Sequence, residues 1–373
     1  MGFFEQVVAF MNKNITLFFV LLLIVAAIWY LEPQKTISSL QGSADISYTE
    51  KNNTRIQTKA AQYPRAKELA DPTGFINTDN FSIADLIGKK VILIDFWTYS
   101  CINCQRTLPY IEGWYEKYKD QGLVVIGVHT PEFEFEKEYD NVKSAVDRFG
   151  LTYPTVMDSN YGTWSAYDNH YWPRKYLIDI DGFIVYDHAG EGAYEQAEEK
   201  IQDALKERME VLGVSGEVST GMLSIATQTT QALSPETYFG AARNSYLANG
   251  QAGVLGIQSL GTPEDVVLNR LYLTGTWNFD SEFATNQEPD DAILYNYFAK
   301  NVYFVASAET PVNATILIDG KPIAAAGADV HNGIVTIQEP RLYSLVSYAT
   351  AENHVISIIP EQAGLRAYTF TFG

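Results

Sequence analysis

The pattern of apolar and polar residues divides the chain into two halves of different character. Between Asp71 and Val214, short apolar runs typical of buried strands alternate with longer amphipathic segments typical of helices. The predicted elements here are strand Val91–Phe96, helix Cys101–Lys119, strand Leu123–His129, helix Glu138–Phe149, strands Tyr176–Ile180 and Phe183–Tyr186, and helix Glu191–Leu212. Asp181-Gly182 is a hairpin-turn signal between the last two strands. We therefore predict an α/β domain over residues 71–214, with helices on both faces of a mixed sheet.

Residues 233–373 show no helical periodicity, and their apolar pattern predicts β-strands throughout. Tyr368, Phe370 and Phe372 alternate with small or polar residues near the C-terminus, and Asp319-Gly320 predicts a hairpin. The other predicted strands are Leu271–Phe279, Ala292–Ser307, Ala314–Ile318, Gly333–Gln338, Arg341–Tyr348 and His354–Ile359. Many short strands predict an all-β sandwich of jelly-roll type.

The first 70 residues change from apolar to polar. Ile15–Leu31 is a run of 17 residues without a charge, which as a helix would be about 26 Å long and could cross a membrane. A cleaved signal peptide is the alternative, but no small-residue cleavage site follows the run. We predict an uncleaved single-pass anchor over residues 1–31, a polar tether over 32–70 and a second linker over 215–232.

The amino-acid composition and net charge limit the classes of function that the chain can have. Hydrophobic residues make up 46% of the 373 positions, which is ample for two packed cores. The net charge of −19 argues against a nucleic-acid partner, because a phosphate backbone would repel so acidic a chain. A solvated surface is the ordinary explanation of such an excess of acid.

The chain has only two cysteines, Cys101 and Cys104, between the first predicted strand and the helix that follows it. A helix N-terminus presents free N–H groups and the positive end of the helix dipole, which stabilise a thiolate. We predict Cys101 to be the exposed nucleophile and Cys104 the buried resolving thiol. Half of a zinc site and an inert structural disulfide are the alternatives; the first lacks a second cysteine pair, and the second usually closes a longer loop.

Cysteine usage also bears on the compartment. Both thiols belong to one pair and none lies elsewhere, as suits an oxidising exterior. We therefore predict a cell-membrane location with the catalytic domain on the extracytoplasmic side.

These residues resemble the thioredoxin superfamily. Asp95-Phe96-Trp97, three residues and Cys-x-x-Cys are similar to its active-site strand and helix, and Trp172-Pro173 before a strand is similar to its cis-proline element. WTYSCINCQRTLPY, GVHTPEF and YWPRKYLIDIDG resemble the extracytoplasmic TlpA-like branch, above all the thioredoxin-like part of DipZ proteins. SPETYFGAAR, TGTWNFDSEF, EPRLYSLV and AYTFTFG resemble the C-terminal module of DipZ proteins, which looks like a carbohydrate-binding module. The chain departs from thioredoxin at Ser100 and Ile102-Asn103, and it lacks the multi-helix electron conduit of DipZ proteins.

The resemblance implies a thiol–disulfide oxidoreductase, of the type that reduces protein disulfides, with no cofactor beyond a redox-active Cys101–Cys104 disulfide. Asp95 takes the place of the buried carboxylate that exchanges a proton with the resolving thiol, and Pro173 is expected to be cis. Trp172, Trp97 and Tyr99 are the residues expected to bind substrate. Trp172 is expected to pair with an extended peptide, and Trp97 and Tyr99 either pack around the disulfide or belong to the core. The implied partners are protein disulfides, a CcdA- or DsbD-like membrane electron donor, the membrane through residues 15–31 and a glycan at the β-sandwich.

Three other functions remain possible, and each would depend on particular residues. A peroxiredoxin-like peroxidase needs a Thr such as Thr98 before its cysteine, but Ile94 stands where that family has Pro. Copper delivery would use both thiols and His170. Envelope glycan binding would use aromatic residues that otherwise form core, namely Tyr272, Trp277 and Tyr343.

Two further groups have ordinary interpretations. Arg106 either steadies the thiolate or is a solvated helix residue. Glu132, Glu134, Glu136 and Glu138 are expected to form a solvated acidic face.

Overall fold

The computed structural model describes Gly2, residues 52–225 and residues 232–373. The chain divides into one unit up to Pro64 and a second from Arg65 to Gly373. The predicted anchor Ile15–Leu31, the first part of the tether and the middle of the second linker lie outside the described residues. Within the described ranges, no helix has both the length and the apolar character needed to cross a bilayer.

The predicted α/β domain is confirmed. Its strands are β1 Gly74–Ile76, β2 Val91–Trp97, β3 Leu123–His129, β4 Thr155–Met157, β5 Arg174–Ile178 and β6 Ile184–Ala189. In the described part of the chain they form one six-stranded sheet in the order β1-β4-β3-β2-β5-β6. Strands β2, β3 and β4 run parallel, and β1, β5 and β6 pair antiparallel. Every residue of β2 is buried, as expected of a central strand covered on both faces.

Helices fill the connections of this sheet. Residues 52–60 form helix α1 before it, and the later helices are α2 Ile83–Leu86, α3 Ile102–Tyr118, α4 Tyr139–Phe149, α5 Gly162–Ala166 and α6 Tyr194–Leu212. Short 3-10 turns lie at Lys119–Gln121 and Glu134–Lys137. Alternate residues of β2 enter two different cores: Leu93 and Trp97 pack on the side of α3, whereas Ile94 and Phe96 face the other side. Asp95 shares the α3 side, so β2 directs it towards Cys104.

The tether and linker predictions need correction where the structure describes them. Residues 52–60 are helical, with the Arg55 guanidinium donating to the Asn52 side chain at 2.7 Å. Leu69 is buried in the α/β domain, so the polar tether ends before residue 70. Residues 215–225 also lie against the fold, because Val218 is buried and the Leu223 amide donates to Glu198 at 2.8 Å. Single apolar side chains in polar segments account for this packing.

The C-terminal half is all-β, as predicted. Its strands are β7 Thr237–Tyr238, β8 Gly256–Leu260, β9 Leu271–Leu273, β10 Gly275–Phe279, β11 Ala284–Asn286, β12 Ile293–Ser307, β13 Val312–Ile318, β14 Lys321–Pro322, β15 Val330–His331, β16 Ile334–Ile337, β17 Arg341–Pro360 and β18 Arg366–Phe372. Among the described residues, all twelve join one antiparallel sheet around a single apolar core. Long strands β12 and β17 hold the sheet together, and the Asp319-Gly320 hairpin is confirmed.

Four features of the β half differ from the prediction. The described strands form one continuous sheet, whereas the predicted sandwich has two. Arg341–Tyr348 and His354–Ile359 belong to one strand, β17. Leu271–Phe279 is two strands, because Gly275 adopts a positive φ of 87° where a Cβ would meet the Asp291 carboxylate. Tyr368 does not share a face with Phe370 and Phe372, because a bulge in the β12–β18 pairing turns it towards the α/β domain.

The aromatic residues proposed for sugar stacking are core residues. Trp277, Tyr343 and Tyr272 are buried, the first two almost completely. The Tyr343 hydroxyl donates to the Glu339 carbonyl at 2.8 Å, and the Trp277 indole N–H donates to the Thr274 carbonyl at 2.9 Å. None of the three presents a ring to a ligand, so the core alternative is confirmed.

Candidate active site

The two cysteines lie at the first turn of α3. Cys101 is the N-cap residue, and its Sγ accepts a hydrogen bond from the Cys104 amide at 3.4 Å. Both are free thiols; Cys101 is half-buried and Cys104 is fully buried. Burial raises the pKa of the Cys104 thiol well above its usual range, and the adjacent Cys101 and Asp95 raise it further. This difference in exposure agrees with the roles predicted for the two sulfurs.

Asp95 lies beneath the cysteine pair on β2. It is 0% exposed, and neither carboxylate oxygen has a hydrogen-bond partner among the described residues. Burial raises the pKa of Asp95 to about 7, although the charge of Lys175 opposes the shift. A carboxyl that exchanges its proton near neutral pH suits a base for the resolving thiol.

Lys175 is a member of this site that the sequence prediction missed. It lies opposite Asp95 in the β2–β5 register and is fully buried, with Nζ donating to the Gly190 carbonyl at 3.1 Å. Burial lowers the pKa of Lys175, and the Asp95 carboxylate opposes that shift. The predicted strand began at Tyr176, which left Lys175 outside it; a start two residues earlier pairs the lysine with Asp95.

The Trp172–Pro173 peptide bond is cis, as expected. The Trp172 ring packs against Trp164 with centroids 4.3 Å apart, and its indole N–H donates to the Thr130 carbonyl at 3.0 Å. No hydrogen bond within the described residues uses the backbone N–H or C=O of Trp172. Trp172 lines the same cleft as Cys101, so this backbone is placed to pair with a bound strand.

Trp97 and Tyr99 do not fit the predicted contact with substrate. Trp97 is fully buried in the core on the α3 side, and Tyr99 is 2% exposed. Tyr99 stacks on His129 and donates its hydroxyl to the Pro340 carbonyl of the C-terminal domain at 3.1 Å. Both are structural residues beneath the active-site loop, because their position at the end of a central strand leaves them no access to solvent.

Glu136 corrects the expectation of a solvated acidic face. It is fully buried, and one carboxylate oxygen accepts hydrogen bonds from the Ser100 amide at 3.1 Å and the Ser100 hydroxyl at 2.7 Å. The other oxygen accepts from the amides of Glu132 at 2.6 Å and Phe133 at 3.1 Å. Burial raises the pKa of Glu136, and the hydroxyls of Thr98 and Ser100 oppose the shift. Glu136 alternates with Phe133 and Phe135 in the sequence, so no local signal in this loop indicates that the glutamate itself is buried.

The C-terminal domain covers one side of this site. Ile102, next to Cys101, packs in an apolar cluster with Phe133 and with Tyr303, Leu342 and Tyr368 of the β domain. Between the two domains a cleft of about 360 Å³ opens onto Cys101, near the lower end of ligand-pocket volumes. Its lining includes Asn103, Glu132 and Trp172 on one wall and Ser234, Glu236, Tyr238, Arg243 and Thr371 on the other.

The side chains of two remaining candidates, Arg106 and His170, pair with carboxylates. The Arg106 side chain is mostly buried and pairs with Glu191, Nε to Oε2 at 3.3 Å, so it is not a solvated helix residue. His170 is largely exposed, and its Nε2 lies 3.2 Å from the Asp168 carboxylate. Across residues 52–225 and 232–373, no group of three or more His, Cys, Asp or Glu side chains is arranged to hold a metal ion.

Both halves of the chain match known families. Residues 69–205 match Redoxin, and residues 234–373 match Thioredoxin like C-terminal domain. Protein DipZ of Mycobacterium bovis and of Mycobacterium tuberculosis is 36% identical over 310 residues, which are 83% of this chain and 43% of DipZ. The chain therefore spans less than half the length of these relatives.

Two shorter relatives are covered over most of their length. Thiol-disulfide oxidoreductase YkuV of Bacillus subtilis is 32% identical over 122 residues, 33% of this chain and 82% of YkuV. Thiol-disulfide oxidoreductase ResA of Halalkalibacterium halodurans is 33% identical over 136 residues, 34% of this chain and 74% of ResA. With a free cysteine pair at the start of α3, a buried carboxyl beneath it and a cis-proline beside it, the chain belongs to the thioredoxin-like thiol–disulfide oxidoreductase family.

Proposed function

We propose that this chain is a membrane-anchored, extracytoplasmic enzyme that reduces disulfide bonds in proteins through Cys101 and Cys104. The observation that carries the proposal is the arrangement around Cys101. Its sulfur lies at a helix N-terminus in a cleft, beside a Trp172 backbone that makes no hydrogen bond to any residue the structure describes, while Cys104 and Asp95 lie buried beneath it. One sulfur can meet a substrate and the other can only meet the first.

The reaction follows from that division. The Cys101 thiolate attacks one sulfur of the substrate disulfide; the substrate S–S bond breaks, a mixed disulfide forms and one substrate thiolate leaves. Asp95 takes the proton of Cys104, whose thiolate then attacks the Cys101 sulfur. The mixed disulfide breaks, the second substrate thiolate leaves and takes up a proton, and the enzyme holds the Cys101–Cys104 disulfide. Two electrons have passed from the enzyme dithiol to the substrate.

The oxidised enzyme must be reduced again by a dithiol donor. An anchor at Ile15–Leu31 would hold the enzyme at the membrane, where a CcdA- or DsbD-like donor would meet it at high local concentration. Glycan binding by the C-terminal domain is a separate proposal that needs residues other than Tyr272, Trp277 and Tyr343, because those three are buried.

The reduction potential of the cysteine pair tests the direction of electron flow. The full chain is equilibrated in graded thiol buffers and the free thiols are trapped, with C101S and C104S as controls that form no intramolecular disulfide. A potential near the roughly −270 mV of thioredoxin supports a reductase. A potential near the roughly −120 mV of strong oxidants contradicts reduction as the physiological direction. Failure to form a reversible disulfide contradicts the redox function itself.

Thiol labelling in cells tests the proposed location. A membrane-impermeant maleimide applied to intact cells should modify Cys101 in the reduced protein, and membrane fractions should hold the enzyme. Labelling only after lysis would contradict the extracytoplasmic location, and recovery in the soluble fraction would contradict the anchor.

A further inference from the structure

The second wall of the active-site cleft is fixed to the first by specific contacts. Glu132, in the loop after β3, accepts hydrogen bonds from the Tyr238 hydroxyl at 2.8 Å and from the Arg243 guanidinium at 2.8 Å. The Arg243 guanidinium lies 3.7 Å above the Tyr238 ring, and Phe135 meets Tyr368 edge to face at 4.8 Å. A substrate that reaches Cys101 therefore also meets the C-terminal domain.

The size of the cleft limits what can enter. A volume of about 360 Å³ is close to the lower bound of small-ligand pockets. Cys101 and Trp172 lie on one wall, and the β domain forms the other. A short extended segment fits this space with its backbone against Trp172, whereas a broad protein surface does not.

The charges that face the cleft do not cancel. Arg243 is paired with Glu132. Glu236 accepts a hydrogen bond from the Thr371 hydroxyl at 3.2 Å. It also lies 2.8 Å from the Tyr238 hydroxyl, whose one proton it shares with Glu132. Glu236 is an exposed residue, yet desolvation by the surrounding atoms and the charge of the Glu132 carboxylate raise its pKa to about 7, while the Arg243 guanidinium opposes the shift. The cleft lining thus holds two carboxyl groups, Glu132 and Glu236, and one guanidinium, Arg243, which leaves an excess of one negative charge when both carboxyl groups are ionised.

We propose that this cleft selects an extended cysteine-containing segment with a basic side chain beside the cysteine, and that Glu236 of the C-terminal domain binds the basic group. This inference rests on the proposed function, because it names the substrate class for the same reactive sulfur. The β domain is then a specificity element of the active site. An acidic neighbour is disfavoured, because it would meet two carboxyl groups in the lining, and the one guanidinium there, Arg243, is already paired with Glu132.

Matched disulfide peptides test the proposal. Short peptides of equal length, each dimerised through one cysteine, carry Lys, Gln or Glu beside that cysteine. The fully reduced full chain is mixed with each peptide at pH 8, and the single-turnover rate of enzyme oxidation is measured. The matched variants are E236Q, in the cleft, and E264Q, an exposed acid of the same domain outside the cleft lining.

We expect the wild type to prefer the Lys peptide over the Gln peptide by about fivefold, the upper end for an exposed ion pair. In E236Q the Lys and Gln peptides should react at similar rates, so that the preference is lost, whereas E264Q should keep it. Equal rates for all three peptides, or a preference that survives in E236Q, would overturn the inference and leave the proposed function intact. If no peptide oxidises the enzyme and the cysteine pair forms no reversible disulfide, the proposed function fails as well.

Discussion

Replacing Asp95 by asparagine should stabilise the protein relative to the wild type, and increasingly so as the pH rises. Asp95 is 0% exposed, and neither carboxylate oxygen has a hydrogen-bond partner among the described residues. Desolvation therefore raises its pKa from 3.8 to about 7, with partial relief from Lys175. Asparagine has a similar shape and no charge to desolvate.

The direction of this pH dependence follows from the number of protons that the folded and unfolded states bind. The unfolded chain loses the Asp95 proton near pH 3.8 and the folded protein loses it near pH 7, so between these values the folded state holds more protons. Stability from this group is therefore lost as the pH rises through that window. At 1.36 kcal/mol per pKa unit, the full penalty above pH 7 is about 4 kcal/mol. Lys175 loses its counter-charge in D95N, which reduces the gain, so the double variant D95N/K175M should approach the full value more closely.

Urea unfolding followed by tryptophan fluorescence, from about pH 4 to about pH 8 at constant ionic strength, measures the difference in free energy of unfolding. The matched control is D203N, which removes an exposed acid from α6. The D95N advantage should be near zero at the acid end and grow towards neutral pH, whereas D203N should track the wild type. A D95N difference that does not change with pH would refute the assignment of a desolvated, titrating carboxyl at this position.

A kinetic measurement on D95N and two other changes test the remaining parts of the site. D95N should slow the attack of Cys104 on the mixed disulfide by about 100-fold, the scale of a lost general base. Acid quenching should then trap the mixed disulfide between Cys101 and substrate. If the intermediate does not accumulate, another group deprotonates Cys104. E136Q should lower the free energy of unfolding by about 3 kcal/mol, because the amide nitrogen replaces an oxygen that accepts buried hydrogen bonds. The control is E138Q, at an exposed residue, which should have little effect. Equal losses in the two variants would contradict a structural role for the buried Glu136 carboxylate. Y368A should cost about 3 kcal/mol through lost aromatic packing, and limited proteolysis should then cleave between the domains more readily than in the wild type.

Local sequence was sufficient for the elements that carry function in the α/β domain. The apolar run before Cys101 and the amphipathic segment after it predicted β2 and α3 within one residue at each boundary. The Asp181-Gly182 and Asp319-Gly320 turns were predictable because few other residue pairs adopt their backbone conformations easily. The strong periodicity of α6 and its Gly213 end had the same local origin.

The residues that the sequence did not reveal depend on contacts distant in the chain. Lys175 is buried only because register places it opposite Asp95, eighty residues earlier. Glu136 lies in a run of acids that reads as solvated, and its burial depends on the Ser100 loop folding over it. Tyr368 faces the α/β domain because of one bulge, which the alternation of residues around it does not indicate. Strand register, loop packing and bulges are tertiary features, so a local pattern cannot specify them.

The loop after β3 links the cysteine pair to the C-terminal domain. Its Glu136 carboxylate holds the amide and hydroxyl of Ser100, the residue before Cys101, and accepts from the amides of Glu132 and Phe133. The side chains of those same two residues contact the β domain, Glu132 through Arg243 and Phe133 through the cluster with Tyr368. A shift of the β domain would therefore move Glu132 and Phe133, and with them the Glu136 carboxylate that holds Ser100. The position of Cys101 thus depends on a domain that contributes no catalytic atom. The C-terminal domain is for this reason part of the active-site architecture: it forms one wall of the cleft that leads to Cys101, and it helps to position that residue.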